Sequence, residues 1–345
     1  MAAADRFRCL IITANRHMES SPSSQWARMT EAGSYAGIVF IYWIFRCLGR
    51  RVFQVILFPV VAYFYIVRRD ARRASREYLE HLYQSSPGVL SSPPGWMTSF
   101  RHFQRFGDAA LDKAIAWSGK LPEGCIDVVD EQAYRAMFEG TRGRLIIGSH
   151  LGNLEFCRGF ASQHREVLIN ALVYDYHAIN FNRVISRLNP KSRVRLFQVT
   201  ELNISTMLSL KNKIDNGEWV VIAGDRIPVI GGVRRTVKVD FLGAPAPFPI
   251  GPYILASTLQ CPVNLLFAYR QGDRVKVNFE TFADRIMLNR AQRDTQLHQW
   301  TQKFADRLAD NCRAAPLQWF NFYPFWDSKI GESASSNNQR QRAAS

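Results

Sequence analysis

Residues 144–280 restrict the fold most, because short apolar runs alternate there with segments of helical periodicity. Predicted helices separate the first four runs, and residues 274–282 alternate as the second arm of a hairpin would. The five runs predicted to be buried strands are 145–147, 167–173, 194–199, 219–223 and 263–269, and the helices between the first four are 152–163, 177–188 and 203–216. Such alternation is typical of an α/β fold with parallel strands. We therefore predict an α/β mixed sheet flanked by helices.

A histidine and a glutamate follow the first run, in His150-Leu-Gly-Asn-Leu-Glu155. Histidine can take a proton from a hydroxyl that attacks an activated acyl group, because its ordinary pKa is about 6.5. A carboxylate on the other ring nitrogen would fix the tautomer. Positions i and i+5 of a regular helix lie about 140° apart, so we expect His150 in the strand-to-helix turn and Glu155 in the first helical turn. The alternative is an ordinary capped helix start with a surface histidine.

An Asp-Arg pair follows the run 219–223 in the same way. Because ligands of α/β sheets bind outside the carboxyl ends of strands, His150 and Asp225 are predicted to share one site. Arg226 is a candidate for oxyanion stabilisation or phosphate binding, and an ion pair with Asp225 or Glu155 is the alternative. Asp225 is assigned to substrate binding, although it could instead orient Arg226.

Three weaker candidates complete the predicted site. Asn153 could hydrogen-bond substrate, and a capping role is equally possible. Arg234 and Arg235 follow two glycines in a pattern that resembles a phosphate-contacting loop, for which a solvated turn is the alternative. We expect no metal and no redox cofactor, because an acyl group that is already activated needs neither to react with a hydroxyl.

Four segments resemble the lipid A biosynthesis acyltransferase family, in its broader branch, and they occur in the family's order: 148–155, 220–229, 241–249 and 318–326. The resemblance implies a glycerolipid-acyltransferase-like fold and a membrane-bound enzyme. Its His-x4-Glu motif would be His150 and Glu155. The donor would be acyl carrier protein or coenzyme A carrying a fatty acyl group, and the acceptor a lipid. Arg226 departs from the Pro-Asp-x-Asp-like stretch usual in the lipid A enzymes, so lipid A itself is not inferred as the acceptor.

The chain carries 44 basic and 29 acidic residues, a net charge of +15. This charge suits an anionic membrane or an acidic partner such as acyl carrier protein. Nucleic acid is the competing partner, but no nucleic-acid-binding motif is recognisable. We therefore expect no nucleic-acid partner. The six cysteines are scattered without CxxC spacing, which predicts reduced thiols rather than a disulfide framework.

Five segments are expected along the chain. Residues 1–28 are predicted to be a disordered extension, 29–67 a membrane anchor, 68–140 a helical region packed on the catalytic domain, 141–327 the α/β acyltransferase domain and 328–345 a disordered tail. Arginines flank the apolar residues 52–67, as is usual on the cytoplasmic side of a membrane. This stretch is short for a spanning helix, so an interfacial helical pair and a buried helix of a soluble domain are both alternatives.

Two aromatic segments have open roles. Residues 241–252, rich in proline, could line an acyl groove or form a surface loop on the sheet. Residues 318–326 are expected mainly to close the core, with a membrane-interface belt and acyl-chain contact as alternatives. His102, His164 and His177 are assigned no role.

These features together predict an acyltransferase at the cytoplasmic face of a bacterial inner membrane, acting on a lipid hydroxyl. An N-acyltransferase that makes an amide-linked lipid is one alternative. A non-catalytic lipid-binding membrane protein is the other.

Overall fold

The computed structural model describes residues 52–117, 124–154, 167–173, 194–198, 204–227 and 236–326. In these ranges the helices are α1 (Val52–Val67), α2 (Arg69–Ser85), α3 (Trp96–Trp117), α4 (Glu131–Ala136), α5 (Ile204–Asp215), α6 (Gly251–Leu259) and α7 (Arg293–Ala314). The strands are β1 (Ile126–Val128), β2 (Leu145–Gly152), β3 (Ile169–Val173), β4 (Val194–Gln198), β5 (Trp219–Ala223), β6 (Thr236–Phe241), β7 (Ala244–Pro249), β8 (Val263–Gln271) and β9 (Arg274–Ala283).

Seven strands form one mixed sheet in the order β1-β9-β8-β2-β5-β3-β4. Only the β8–β9 hairpin is antiparallel, as its alternation predicted. Both faces of the sheet are covered. Successive residues of a strand point to opposite faces. In β2, Leu145 and Ile147 enter the larger core, and Ile146 enters the smaller core on the other face. Burial on both sides explains why the central strands are nearly continuous apolar runs.

The structure differs from the prediction in two segments. β1 lies inside the region assigned as helical, 68–140, yet it pairs in parallel with β9 as an edge strand of the main sheet. The segment 241–252 is not a surface loop, and its role in lining an acyl groove stays a prediction. It contributes β7 to a two-stranded antiparallel sheet with β6, and then the start of α6. Phe241 and Phe248 of this hairpin are buried in the larger core.

Helix α2 is strongly amphipathic. Ala71, Ala74, Tyr78, Leu79 and Leu82 are buried on one face at helical spacing. Its arginines lie toward the opposite, exposed side, so the helix packs on the domain and presents positive charge outward.

Helix α1 meets α2 at an angle of 94°. Phe53, Leu57 and Val61 repeat every four residues and pack α1 against α2 and α3. In the described part of the chain, no single helix is long and apolar enough to cross a membrane, although α1 and α2 taken together meet that criterion as a bent pair. Residues 29–51 of the expected anchor lie outside the described residues.

Candidate active site

His150 lies within β2, not in the turn that follows it. The strand continues to Gly152 because a short C-terminal segment pairs with it: the Phe320 amide donates to the His150 carbonyl at 3.0 Å, and the Gly152 amide donates to the Gln318 carbonyl at 2.7 Å. The expectation that His150 sits in a strand-to-helix turn is therefore wrong by two residues. The pairing fixes the backbone of His150 on a rigid element.

Gly152 makes the bend that ends β2. Its φ is +62°, and a Cβ at this position would lie 2.0 Å from the Ala268 carbonyl oxygen. A side chain would therefore be disfavoured both by the backbone conformation and by the neighbouring strand β8. The bend leads to Asn153, whose side-chain amide donates to the Ala109 carbonyl of α3 at 3.2 Å.

Asp225 is the carboxylate that contacts the His150 ring. It follows β5, the parallel neighbour of β2, so the ends of both strands lie at the same edge of the sheet. The His150 Nδ1 lies 2.8 Å from Asp225 Oδ1, and the His150 amide donates to Asp225 Oδ2 at 2.7 Å. The Trp319 indole N–H donates to the same Oδ2 at 2.9 Å.

These contacts keep Asp225 ionised although it is only 1 % exposed. Burial alone would raise the pKa of its carboxyl group, but the charge of His150 and the hydrogen bonds from His150 and Trp319 outweigh burial and lower the pKa below its ordinary value. An ionised carboxylate accepts hydrogen bonds only. His150 Nδ1 therefore carries a proton, and Nε2 keeps its lone pair in the neutral ring.

His150 is set up to act as a base. Burial, with the positive charges of Arg226 and Lys113, lowers the pKa of His150 below 6.5 and outweighs the opposite effect of Asp225. The ring is therefore neutral near pH 7. Its side chain is 31 % exposed, so part of the ring remains accessible to a substrate.

A chain of buried hydrogen bonds continues from Trp319 to the helices α2 and α3. His102 Nε2 lies 3.0 Å from the Trp319 carbonyl, which can only accept, and His102 Nδ1 lies 3.0 Å from Ser75 Oγ. Ser75 Oγ in turn lies 2.9 Å from Ser99 Oγ. Burial lowers the pKa of His102 to about 4, so this ring stays neutral and its Nε2–H is held on the carbonyl. His102 thus supports the site from behind.

Arg226 lies beside both partners of the His150–Asp225 pair. Its charge lowers the pKa of His150. Burial lowers the pKa of Arg226, and the neighbouring Tyr323 and Asp225 oppose this shift. A guanidinium remains protonated in such surroundings. It is therefore a fixed positive charge next to the base.

The structure brings together three of the seven predicted site residues, His150, Asp225 and Arg226. The side chain of Asn153 is instead hydrogen-bonded to α3. Glu155, Arg234 and Arg235 lie outside the described residues, and their roles stay predictions. Asp225 was assigned to substrate binding, and the contacts of the structure are those of its two oxygens with His150 and Trp319.

Three participants were missed by sequence reasoning, and one of them is His102, which was assigned no role and contacts the Trp319 carbonyl. Trp319 was noted only as part of an aromatic segment, and Lys113 was not singled out at all. Spacing along the chain gives no signal for a tryptophan 94 residues from its carboxylate partner. For Lys113 the only available signal is its place in α3, within the region 68–140 that is predicted to be helical.

A neutral histidine on a buried carboxylate, at the carboxyl ends of two parallel strands, defines an acid–base centre suited to acyl transfer. Residues 106–328 match the family described as bacterial lipid A biosynthesis acyltransferase, and this match covers more than half of the chain. The chain belongs to that family and is an acyltransferase. A comparison with curated proteins finds no significant match.

Proposed function

We propose that this enzyme transfers a fatty acyl chain from a thioester to a hydroxyl group of a lipid or glycolipid of the bacterial envelope. The family supports acyl transfer to a bacterial lipid. The observation that carries the proposed chemistry is the 2.8 Å contact between His150 Nδ1 and Asp225 Oδ1. This contact leaves Nε2 as the proton acceptor.

In the proposed reaction, the acceptor hydroxyl attacks the thioester carbonyl while His150 Nε2 takes its proton. The tetrahedral intermediate carries an oxyanion, and the imidazolium is stabilised by Asp225. The intermediate then collapses: the carbon–sulfur bond breaks, the thiolate takes the proton from Nε2, and ester and free thiol leave. No covalent acyl-enzyme is required.

Arg226 and Lys113 supply the positive charge that this intermediate needs. Both act on the His150 ring electrostatically, and in the proposed reaction they also act on the oxyanion. A fixed charge in a partly buried site stabilises a developing oxyanion more than water does. The same charges suit the phosphate of a donor's pantetheine arm. Acyl carrier protein is the proposed donor partner, and coenzyme A thioesters are the alternative.

We place the reaction at the cytoplasmic face of the inner membrane. A lipid acceptor is presented there, and one face of α1 carries exposed apolar side chains such as Val55 at 72 % and Ile66 at 70 %. A helix with an exposed apolar face can lie in the membrane interface without spanning the bilayer.

The test is transfer of label from an acyl carrier protein thioester to a bacterial lipid extract, in membranes that contain the full chain. We expect labelled lipid with the native protein and a loss of about 10³-fold with His150→Ala, within the usual range for removal of a general base. Mass spectrometry of the product would identify the acceptor.

The controls separate the alternatives. A product that resists mild base would be an amide and would point to an N-acyltransferase. Equal transfer by the native protein and by folded His150→Ala would contradict the proposed base. Absence of transfer from both carrier-protein and coenzyme A thioesters would favour a lipid-binding protein.

The pH dependence should identify Arg226 as part of the site. Activity that needs neutral His150 is lost as the pH falls through the pKa of His150, so we expect the acidic limb of kcat/KM below pH 6.5. Arg226→Gln removes a charge that lowers this pKa, so the limb should move to higher pH. The maximal kcat should fall by about 10²-fold from loss of oxyanion stabilisation. An unshifted limb would mean that the guanidinium does not act on the base.

A further inference from the structure

An open groove of about 830 Å³ lies between α2 and the C-terminal aromatic segment. We call it the arginine groove. Its basic side is formed by Arg69, Arg72, Arg73 and Arg76, and its aromatic end by Pro324 and Trp326. Glu77 and Glu80 line the remaining part. None of the residues placed at the His150 site lines this groove, so its function requires a separate explanation.

The arginines divide into two groups by their contacts. The Arg72 guanidinium donates to the carbonyls of Tyr65 and Ile66 and lies 5.4 Å from the Tyr65 ring centre. It therefore holds the carboxyl end of α1 against α2. Arg69, Arg73 and Arg76 are exposed and follow the i, i+4, i+7 spacing of one helical stripe. These three side chains can reach an external anion.

Trp326 is held in place at the other side of the groove. Its indole N–H donates to the Phe241 carbonyl at 3.3 Å, and its ring stacks on His81 of α2 with centres 4.3 Å apart. The groove is therefore built from fixed elements, with one aromatic wall and a row of guanidinium groups.

The occupant is indicated by what continues from the groove. Helix α1 leaves α2 at 94°, and its outer face is apolar. The exposed large apolar residues of α1 are Val52, Val55, Ile56, Phe58, Val60, Tyr63, Phe64, Ile66 and Val67. An acidic protein surface would complement the arginines but not this apolar row. A membrane interface offers lipid phosphates and acyl chains together.

We propose that the arginine groove binds the phosphate headgroup of an anionic phospholipid while α1 lies in the membrane interface beside it. This inference deepens the membrane location proposed above and does not depend on the acyl-transfer chemistry. Guanidinium groups suit a phosphate because their paired N–H donors match its oxygens. The tryptophan wall suits the boundary between headgroup and acyl chain.

The experiment compares binding of the full chain to mixed phosphatidylglycerol–phosphatidylcholine vesicles and to pure phosphatidylcholine vesicles. The test variant is Arg69→Gln/Arg73→Gln/Arg76→Gln. We expect its binding to the anionic vesicles to weaken by about 100-fold, from about fivefold for each arginine near an anionic surface. Binding to the zwitterionic vesicles should change little.

The matched control removes the same charge elsewhere. Arg285, Arg290 and Arg293 are exposed and lie outside the groove. The triple glutamine variant at these positions should lose less than about tenfold, since only the long-range attraction is reduced. Equal losses in the two variants would overturn the groove as a site. So would equal binding of the native chain to both kinds of vesicle.

Two further readouts keep the inference separate from the proposed function. The groove variant should unfold at the native temperature and should keep its acyl-transfer activity on substrates dissolved in detergent. If detergent activity is absent in the native protein too, the proposed function fails while the vesicle result still stands. Groove-dependent binding of acyl carrier protein, with vesicle binding unchanged, would show a protein-docking surface and overturn the inference.

Discussion

Asp225→Asn should lower kcat by about 10³- to 10⁴-fold while leaving the protein folded. The substitution keeps the size of the side chain but removes the charge that stabilises the imidazolium. It also removes one of the acceptor oxygens that now receive the His150 ring, the His150 amide and the Trp319 indole. An amide NH₂ in that place would favour the tautomer with the proton on Nε2, and such a ring cannot act as a base there.

The matched variant is Glu155→Gln, which tests the residue that the His-x4-Glu motif assigned to the same role. We expect a much smaller loss in kcat, because Nδ1 of His150 is engaged by Asp225. Steady-state kinetics at saturating thioester would compare the two. A large loss in Glu155→Gln with near-native activity in Asp225→Asn would return the orienting role to the motif glutamate.

The pH profile adds a second readout to this comparison. Asp225 raises the pKa of His150, whereas Arg226 lowers it. The residual activity of Asp225→Asn should therefore have its acidic limb at lower pH than the native enzyme, opposite in sign to Arg226→Gln. A disturbance of folding alone would not give shifts of opposite sign.

The central strands could be predicted from the sequence because burial on both faces gives continuous apolar runs. All five runs correspond to strands. The three-residue edge strand β1 has no such run, since its side chains are only half-buried. β7 was missed because three of its six residues are proline. Because these prolines are spaced by two, the backbone nitrogens of all three can point away from β6. β6 is the only partner of β7 in the described residues.

Sequence reasoning could predict that His150 and Asp225 lie at one edge of the sheet, but not that they are in contact. The two residues follow predicted strands, and the carboxyl ends of parallel strands lie at one edge of a sheet. The order of the strands could not be predicted, because β3 and β4 lie between β2 and β5 in the sequence although β2 and β5 are neighbours in the sheet. Local spacing pointed to Glu155, five positions away, and could not indicate a carboxylate 75 residues away.

Trp319→Phe should affect stability and catalysis together. Trp319 is fully buried, and its ring centre lies 5.0–5.2 Å from those of Tyr78, Phe241 and Phe325. Phenylalanine leaves part of this space empty and removes a hydrogen bond to a buried carboxylate, so we expect the free energy of unfolding to fall by about 2–4 kcal/mol. Denaturant unfolding in detergent would measure the change.

The catalytic part of the effect separates Trp319 from an ordinary core residue. Loss of the indole removes one of the two donors to Asp225 Oδ2. We therefore expect kcat to fall by about tenfold, equivalent to about 1.4 kcal/mol, from poorer placement of the His150 ring. Phe325→Leu is the control, because Phe325 is 1 % exposed in the same aromatic cluster and has no polar side-chain atom. It should lose stability of the same order and keep kcat near the native value. If the two variants lost kcat equally, Trp319 would act only through core packing, and positioning of Asp225 by its indole would be excluded.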